Sequence, residues 1–313
     1  MQPNRSLDAF RASTRRPSDF DGFWNEAHRD LDLVPDAVFV ERSSLRSSDT
    51  IDVFEVRFSS IGGARVFGWL ARGREARSRR PGLVIFPGYG GSPGIPRAWA
   101  KVGFVALQIS PRGHHLSDDR IAPGFPGLMT SGIDEPRDYV YRGVYCDAWR
   151  AVDVLAGRDD VDRDRVGVTG GSQGGALAMI AAAGRTPVAA VAADVPFLTA
   201  IRDALSLGNS YPYEEVKDYL RVQPERRQAV LTTLDYIDTV NFADRVRASA
   251  LLSVGLRDDI CPPQTAYALF NALTCPKDIR VYAEGAHEGG GYTHAVAKEA
   301  WLRETLGATS DNP

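Results

Sequence analysis

Cysteine is scarce: Cys146, Cys261 and Cys275 are the only three in 313 residues. An odd set with no metal-type spacing excludes a disulfide framework and a thiolate metal centre, and it fits a reducing, cytoplasmic setting. Histidine is nearly as rare. Only His28, His114, His115, His287 and His294 are present, so imidazole chemistry has few places to reside. No apolar run is long enough to cross a bilayer. The opening stretch MQPNRSLDAFRASTRRPSDFDGFW carries charges but lacks the apolar core of a secretory signal. Positive charge is not in excess either: 37 Lys and Arg against 40 Asp and Glu leave a formal net charge of −3, so no basic field invites nucleic acid. What remains is 43% hydrophobic and 25% charged, the balance of a globular chain able to bury a sizeable core.

The apolar residues are arranged in short runs. IDVFEVRF (51–58) and ARVFGWLAR (64–72) flank SSIGG and predict a hairpin. GREARSRRPG follows, with five arginines from Arg72 to Arg80. With no aromatics interleaved, it reads as a solvated loop rather than an anion-binding patch. GLVIFPG (82–88), GFVALQIS (103–110), DRVGVTG (164–170), VAAVAADVP (188–196), ALLSVG (250–255) and DIRVYAEG (278–285) are apolar strands ended by turn residues. Helical patterns lie between them at 142–157, 173–183, 213–222, 264–273 and 294–305. Buried strands alternating with helices predict an α/β fold with a mostly parallel central sheet covered on both faces. We expect one domain over 1–313, with residues 1–50 as an N-terminal helical extension packing on it.

Two strand-to-helix turns are rich in glycine. GYGGSPG (88–94) has Pro93 where a dinucleotide fingerprint needs Gly or Ala, and the next strand ends without an acid for a ribose. GGSQGG (170–175) has Ser172 where a pyrophosphate would need glycine. Neither turn suits a nucleotide. The second matches G-x-S-x-G between a strand and a helix, where small residues at −2 and +2 let a serine sit on a strained turn with its hydroxyl exposed. The order that such a serine requires is then an acid and a histidine behind later strands. His287, in AHEGG after the last strand, fits the base, and no second histidine four residues on suggests a metal helix. Asp258 and Asp259, in GLRDDICPP, both stand where the acid belongs. His294 begins the last helix and reads as a surface or capping residue. Backbone N–H groups of Gln173, after the serine, and of Tyr89, in the loop FPGYGG, are the natural donors to a tetrahedral oxyanion.

With these residues placed, the sequence resembles the acetyl xylan esterase / cephalosporin-C deacetylase family, carbohydrate esterase family seven, of the α/β-hydrolase superfamily. The stretches that carry the likeness run from RPSDFDGFW to the C-terminal helix: PGYGG, RGH, YRGVYCDAWRAVDVL, VGVTGGSQGG, FADRV, VGLRDDICPP and AHE. The resemblance implies a serine carboxylester hydrolase that removes acetyl groups from small acetylated sugars and the cephalosporin side chain. It implies no cofactor or metal, an intracellular location and a hexameric ring. It also implies Ser172 as nucleophile, Asp258 as the acid, His287 as the base, and Tyr89 and Gln173 as oxyanion donors. The family's R-G-Q reads Arg112-Gly113-His114 here, and its H-G-Y reads Pro87-Gly88-Tyr89. Phe197, Tyr211 and Tyr213 are candidates both for the pocket wall and for core or interface packing. Two other functions keep the same residues: acyl transfer to an alcohol or amine in a biosynthetic pathway, and non-catalytic binding on a hydrolase fold.

Overall fold

Side chains on a strand alternate between faces, so a strand apolar at every position must be covered twice. The computed structural model describes residues 5–75 and 78–309, and in these residues nine strands make one sheet. They are β1 (Val38–Arg42), β2 (Ile51–Ser60), β3 (Ala64–Gly73), β4 (Arg80–Phe86), β5 (Val105–Ser110), β6 (Val161–Gly171), β7 (Ala190–Asp194), β8 (Ser249–Gly255) and β9 (Lys277–Tyr282). Their spatial order is β1-β2-β3-β5-β4-β6-β7-β8-β9. The β1–β2, β2–β3 and β3–β5 pairs are antiparallel, and every pair from β5 through β9 is parallel.

The alternation divides the interior into two cores. Val84, Phe86, Val105, Leu107, Val191, Ala193, Ala250 and Leu252 pack on one face, against the helices Val140–Ala156 and Gln173–Ala182. Leu83, Phe104, Ala106, Ala190, Ala192 and Leu251 point the other way, toward Leu302 and Leu306 of the helix Gly291–Leu306. The predicted hairpin is present as β2–β3, with Ile61–Gly63 as its turn. The predicted helices are also present, within a few residues at each end, as Val140–Ala156, Gln173–Ala182, Tyr213–Val222, Pro263–Ala272 and Gly291–Leu306.

Some details differ from expectation. Residues 38–42, within the stretch read as an extension, form β1 and add an outer strand to the sheet; all five of its residues are exposed, so no buried face was there to leave a pattern. The arginine-rich stretch is not simply solvated. Arg74 pairs with Asp52 at 3.2 Å, and Arg72 pairs with Asp160 at 3.0 Å. Arg77 lies outside the described residues.

The helix Phe20–Asp32 explains the scattered aromatics near the start. Phe20, Phe23, Trp24, Ala27, His28 and Leu31 are its buried residues, the spacing of a single helical stripe. That stripe lies on the helix Val140–Ala156 and its surroundings: Trp24 stacks on Tyr145 with ring centroids 5.5 Å apart and donates to the Tyr236 carbonyl at 3.0 Å. His28 stacks on Trp149 with centroids 3.8 Å apart. Burial, joined by the positive field of Arg185 and Arg245, brings the His28 pKa down to about 4 from 6.5. The unfolded chain therefore takes up this proton at a higher pH than the folded chain. The contribution is intact above pH 6.5 and is lost as pH falls toward 4, by ~3 kcal/mol in all. We predict that wild-type stability, measured by urea unfolding, falls by about that amount relative to His28→Phe between pH 7.5 and pH 4. Parallel pH dependences of the two proteins would refute this.

Candidate active site

β6 runs its apolar sequence into Gly170-Gly171 and stops at Ser172, which sits at φ 57°, ψ −121°. A non-glycine residue holds that conformation only when its surroundings enforce it. Here they do: Ser172 N–H donates to the Asp194 carbonyl at 2.9 Å, and the Ser172 carbonyl accepts from Ala176 N at 3.1 Å and Phe197 N at 3.0 Å. The flanking glycines leave room for the turn. A Cβ on Gly170 would come within 2.5 Å of the Gly174 backbone, and one on Gly174 within 2.2 Å of the Phe86 carbonyl oxygen. The strain extends into the segment after β7, where Val195, Leu198 and Ala200 have φ of 39°, 55° and 46°. Asp238 secures that segment, its carboxylate accepting from Ala200 N at 2.9 Å and Ile201 N at 2.7 Å.

The acid and histidine loops follow β8 and β9, which are neighbours in the sheet. Asp258 Oδ1 accepts from the backbone N–H groups of Ile260 at 2.9 Å and Cys261 at 2.8 Å, and Oδ2 lies 2.9 Å from His287 Nδ1. The carboxylate accepts, so the shared proton belongs to Nδ1, and His287 Nε2 is left with its lone pair. The Asp258 side chain is fully buried while that of His287 is 28% exposed, so one end of the pair is sheltered and the other reaches the surface. The adjacent Asp259 is exposed and has Ser210 Oγ at 3.4 Å. Backbone bonds lace the two loops together: Leu256 N–H donates to the Tyr282 carbonyl at 3.0 Å, and Arg257 N–H to the Gly285 carbonyl at 2.9 Å. Only glycine fits at the crossing, because a Cβ on Gly255 would lie 2.1 Å from the Ala286 oxygen.

Cys261 joins the three loops. Its thiol is next to the Ser172 hydroxyl, and burial, followed by the Asp258 charge, holds its pKa well above the usual value. It is thus a protonated, inert thiol. The potential ligand atoms of Asp258, Cys261 and His287 lie within 4.8 Å of one another. A metal there would require deprotonation of the thiol and would compete for carboxylate oxygens that already accept three hydrogen bonds. The remaining two residues singled out from the sequence, Tyr89 and Gln173, lie just past the ends of adjacent strands, β4 and β6, which are in register at Phe86 and Gly170.

Comparison with known proteins gives the family. The family model described as acetyl xylan esterase (AXE1) matches residues 2–305. The chain belongs to the acetyl xylan esterase family. It is 29% identical to the acetyl esterase Axe7A of Xylanibacter ruminicola over 315 residues, covering 96% of this chain and 70% of that protein. Among solved structures it is similar to the acetyl xylan esterase from Paenibacillus sp. R4, with 34% identity and a TM-score of 0.91 over 96% of this chain and 99% of that one. Acetyl xylan esterase 1 from Thermoanaerobacterium sp. JW/SL YS485 has 29% identity and a TM-score of 0.90, covering 97% and 98%. The acylaminoacyl peptidase of Pyrococcus horikoshii, at 17% identity and a TM-score of 0.61 over 86% of this chain and 44% of that one, shares the α/β-hydrolase fold alone. The protein is thus a carboxylic ester hydrolase, and membership of an esterase family favours hydrolysis over acyl transfer or a binding role.

Other contacts around these loops add to or depart from the reading of the sequence. His294 is buried, not a surface residue: Nε2 lies 2.8 Å from Asp194 Oδ1, and Nδ1 lies 3.1 Å from the Tyr282 hydroxyl. Lys298 pairs with the same Asp194 carboxylate, so the last helix is tied to the residue whose carbonyl holds Ser172 N–H. Arg112 grips Asp147 in a buried two-point ion pair, Nε to Oδ2 at 2.9 Å and Nη2 to Oδ1 at 2.6 Å. Gly143 makes space for it, since a Cβ there would meet the guanidinium at 2.2 Å. Of the three aromatics, Tyr211 is exposed and bonded to Asp218, whereas Phe197 and Tyr213 are buried with ring centroids 4.3 Å apart.

Proposed function

We propose that this esterase deacetylates small acetylated sugars through an acyl-enzyme formed on Ser172. In this reading His287 Nε2 takes the Ser172 proton as Oγ attacks the acetyl carbonyl, and Asp258 fixes the imidazole and stabilises its charged form. The backbone N–H groups of Tyr89 and Gln173 receive the tetrahedral oxyanion. The intermediate collapses as the imidazolium protonates the sugar oxygen, and water then attacks the acyl-enzyme with His287 again as base. The observation that carries the reading is the 2.9 Å bond between Asp258 and His287, behind a serine on a strained strand-to-helix turn. The homo-oligomeric ring implied by the family resemblance belongs to the same proposal, and sedimentation of the purified protein as a monomer would overturn that part.

The acyl side should be short. Membership of an acetyl xylan esterase family supports a short acyl group, and Phe197, packed against Tyr213 and with its ring centroid 6.4 Å from that of Tyr89, belongs to the buried aromatic packing near the turn. Each methylene that finds an apolar wall gains about 0.8 kcal/mol, so a site built for long chains shows rates that climb with length. A closed site shows the reverse once the chain outgrows it. Across 4-nitrophenyl esters from acetyl to decanoyl, kcat/KM is expected to peak at acetyl or propionyl. A maximum at eight carbons or beyond would overturn the deacetylase reading and leave the Ser172 chemistry standing.

A further inference from the structure

Both residues proposed as oxyanion donors have side chains tied down by groups that the reaction does not otherwise use. Tyr89 lies in a loop between Gly88 and Gly90, the latter at φ 66°, where the backbone has little stiffness of its own. Its hydroxyl donates to the Glu215 carboxylate, 2.7 Å from Oε1 and 2.8 Å from Oε2. Met129 N–H closes the arrangement, 3.0 Å from Glu215 Oε2 and 3.2 Å from the Tyr89 oxygen. Glu215 is only 5% exposed, on the inner side of the helix Tyr213–Val222.

Gln173 is held in the same way by different chemistry. Its Oε1 accepts from the Tyr141 hydroxyl at 2.7 Å, which fixes the amide's orientation and turns Nε2 toward His114 Nε2 at 2.9 Å. An amide N–H donates, so His114 Nε2 must accept, and its ring proton sits on Nδ1, 3.1 Å from the Arg112 carbonyl. Burial lowers the His114 pKa and keeps the ring in this neutral form. The Arg112–Asp147 ion pair anchors the loop, with Arg112 N–H also donating to Asp147 at 2.9 Å. An acceptor is thus what this position needs. Histidine offers one in its unprotonated nitrogen, and a glutamine would offer one in its amide oxygen.

We propose that Glu215 and His114 are positioning residues for the oxyanion hole, acting through the side chains of Tyr89 and Gln173 to aim those residues' backbone N–H groups. The inference rests on the reading of Tyr89 and Gln173 as donors. Without its anchor, each donor swings relative to the developing negative charge, which lowers kcat and leaves substrate binding nearly unchanged, because the ground-state carbonyl makes weaker use of the hole.

The test compares His114→Leu, His114→Gln and Tyr89→Phe with wild type, using 4-nitrophenyl acetate and a trifluoromethyl ketone labelled with 13C at its carbonyl. Ser172 Oγ adds to that carbonyl carbon, the serine proton passes to His287, and the former carbonyl oxygen keeps the negative charge. The pH at which this oxyanion titrates in the 13C spectrum reports how well the hole stabilises it. His114→Leu and Tyr89→Phe are expected to lose 10- to 100-fold in kcat, with KM within about threefold, and to titrate at higher pH than wild type. His114→Gln, which restores the acceptor, is expected to return within threefold of wild-type kcat. If His114→Leu does not fold, His114→Ala takes its place for the Gln173 side, while Tyr89→Phe, which removes a single oxygen atom, tests the Glu215 side. Should both retain wild-type kcat and titration while the wild-type adduct ionises far below the same hemiketal in water, the positioning role is overturned and the oxyanion reading survives. Should the wild-type adduct ionise as it does in water, the oxyanion reading itself fails.

Discussion

Ser172→Ala is expected to fold normally and to hydrolyse acetyl esters on the order of 10⁴-fold or more slowly than wild type. The fold should be indifferent to the change, because the turn is held by the backbone bonds of Ser172 to Asp194, Ala176 and Phe197 and by the bare Cα atoms of Gly170 and Gly174. Alanine keeps those bonds and carries the same Cβ in the same strained conformation. The chemistry should not be indifferent. Without Oγ no acyl-enzyme forms, and what remains is water attacking an ester that the hole merely polarises. Turnover and thermal unfolding of the variant, measured together, separate the two claims. Retention of even a tenth of wild-type turnover would mean that Ser172 is not the nucleophile.

The second large effect divides two neighbours. Asp258→Asn is expected to reduce kcat by ~10³–10⁴-fold, and Asp259→Asn by less than about threefold. Asp258 is buried and gives one oxygen to two backbone donors and the other to His287, whereas Asp259 is exposed, with a serine hydroxyl at 3.4 Å. An asparagine at 258 can turn its amide NH₂ toward His287 Nδ1. That nitrogen would then have to accept, and the ring proton would move to Nε2, the atom that must take the proton from Ser172. The variant is thus disabled by a tautomer rather than by a loss of packing. Activity of Asp258→Asn should recover partly at high pH, where hydroxide can take the Ser172 proton in place of His287 Nε2. Equal losses at both positions, or the reverse order, would reassign the acid.

The features that could be read in the sequence were those whose partners are close in the chain or set by strand order. The glycines around Ser172 and the apolar strand before it lie within a few residues, and Asp258 and His287 each follow a strand directly. Glu215 shows why other features were hidden. In YPYEEVKDYL it stands beside Glu214, and both look like solvent-facing carboxylates on an amphipathic helix. Glu214 does pair with Lys217 and Arg221 near the surface, whereas Glu215 turns inward to Tyr89, 126 residues away in the chain. His294 was obscured similarly, since the Asp194 it meets belongs to a strand 100 residues earlier. A buried polar residue is legible only through its partner, and the sequence does not display partners that the topology alone brings together. β1 was missed for the opposite reason: an exposed outer strand buries nothing and so shows no alternation.

The pairing of β4 with β6 also works as a ruler. Phe86 faces Gly170 across the ladder; three residues beyond the first lies Tyr89, and two beyond the second lies Ser172. A one-residue slip between these strands would shift the two loops past each other by about 3.3 Å, more than any hydrogen bond to a reacting oxygen could absorb. The same slip would turn Leu83 and Ile85 toward the face now filled by Val84 and Phe86, exchanging the linings of two cores at once. Spacing in the reaction centre and packing in the interior are therefore set by one quantity. Insertions can accumulate toward the far ends of these strands, where the ladder already takes up a register shift between Pro81 and Gly82, without disturbing either.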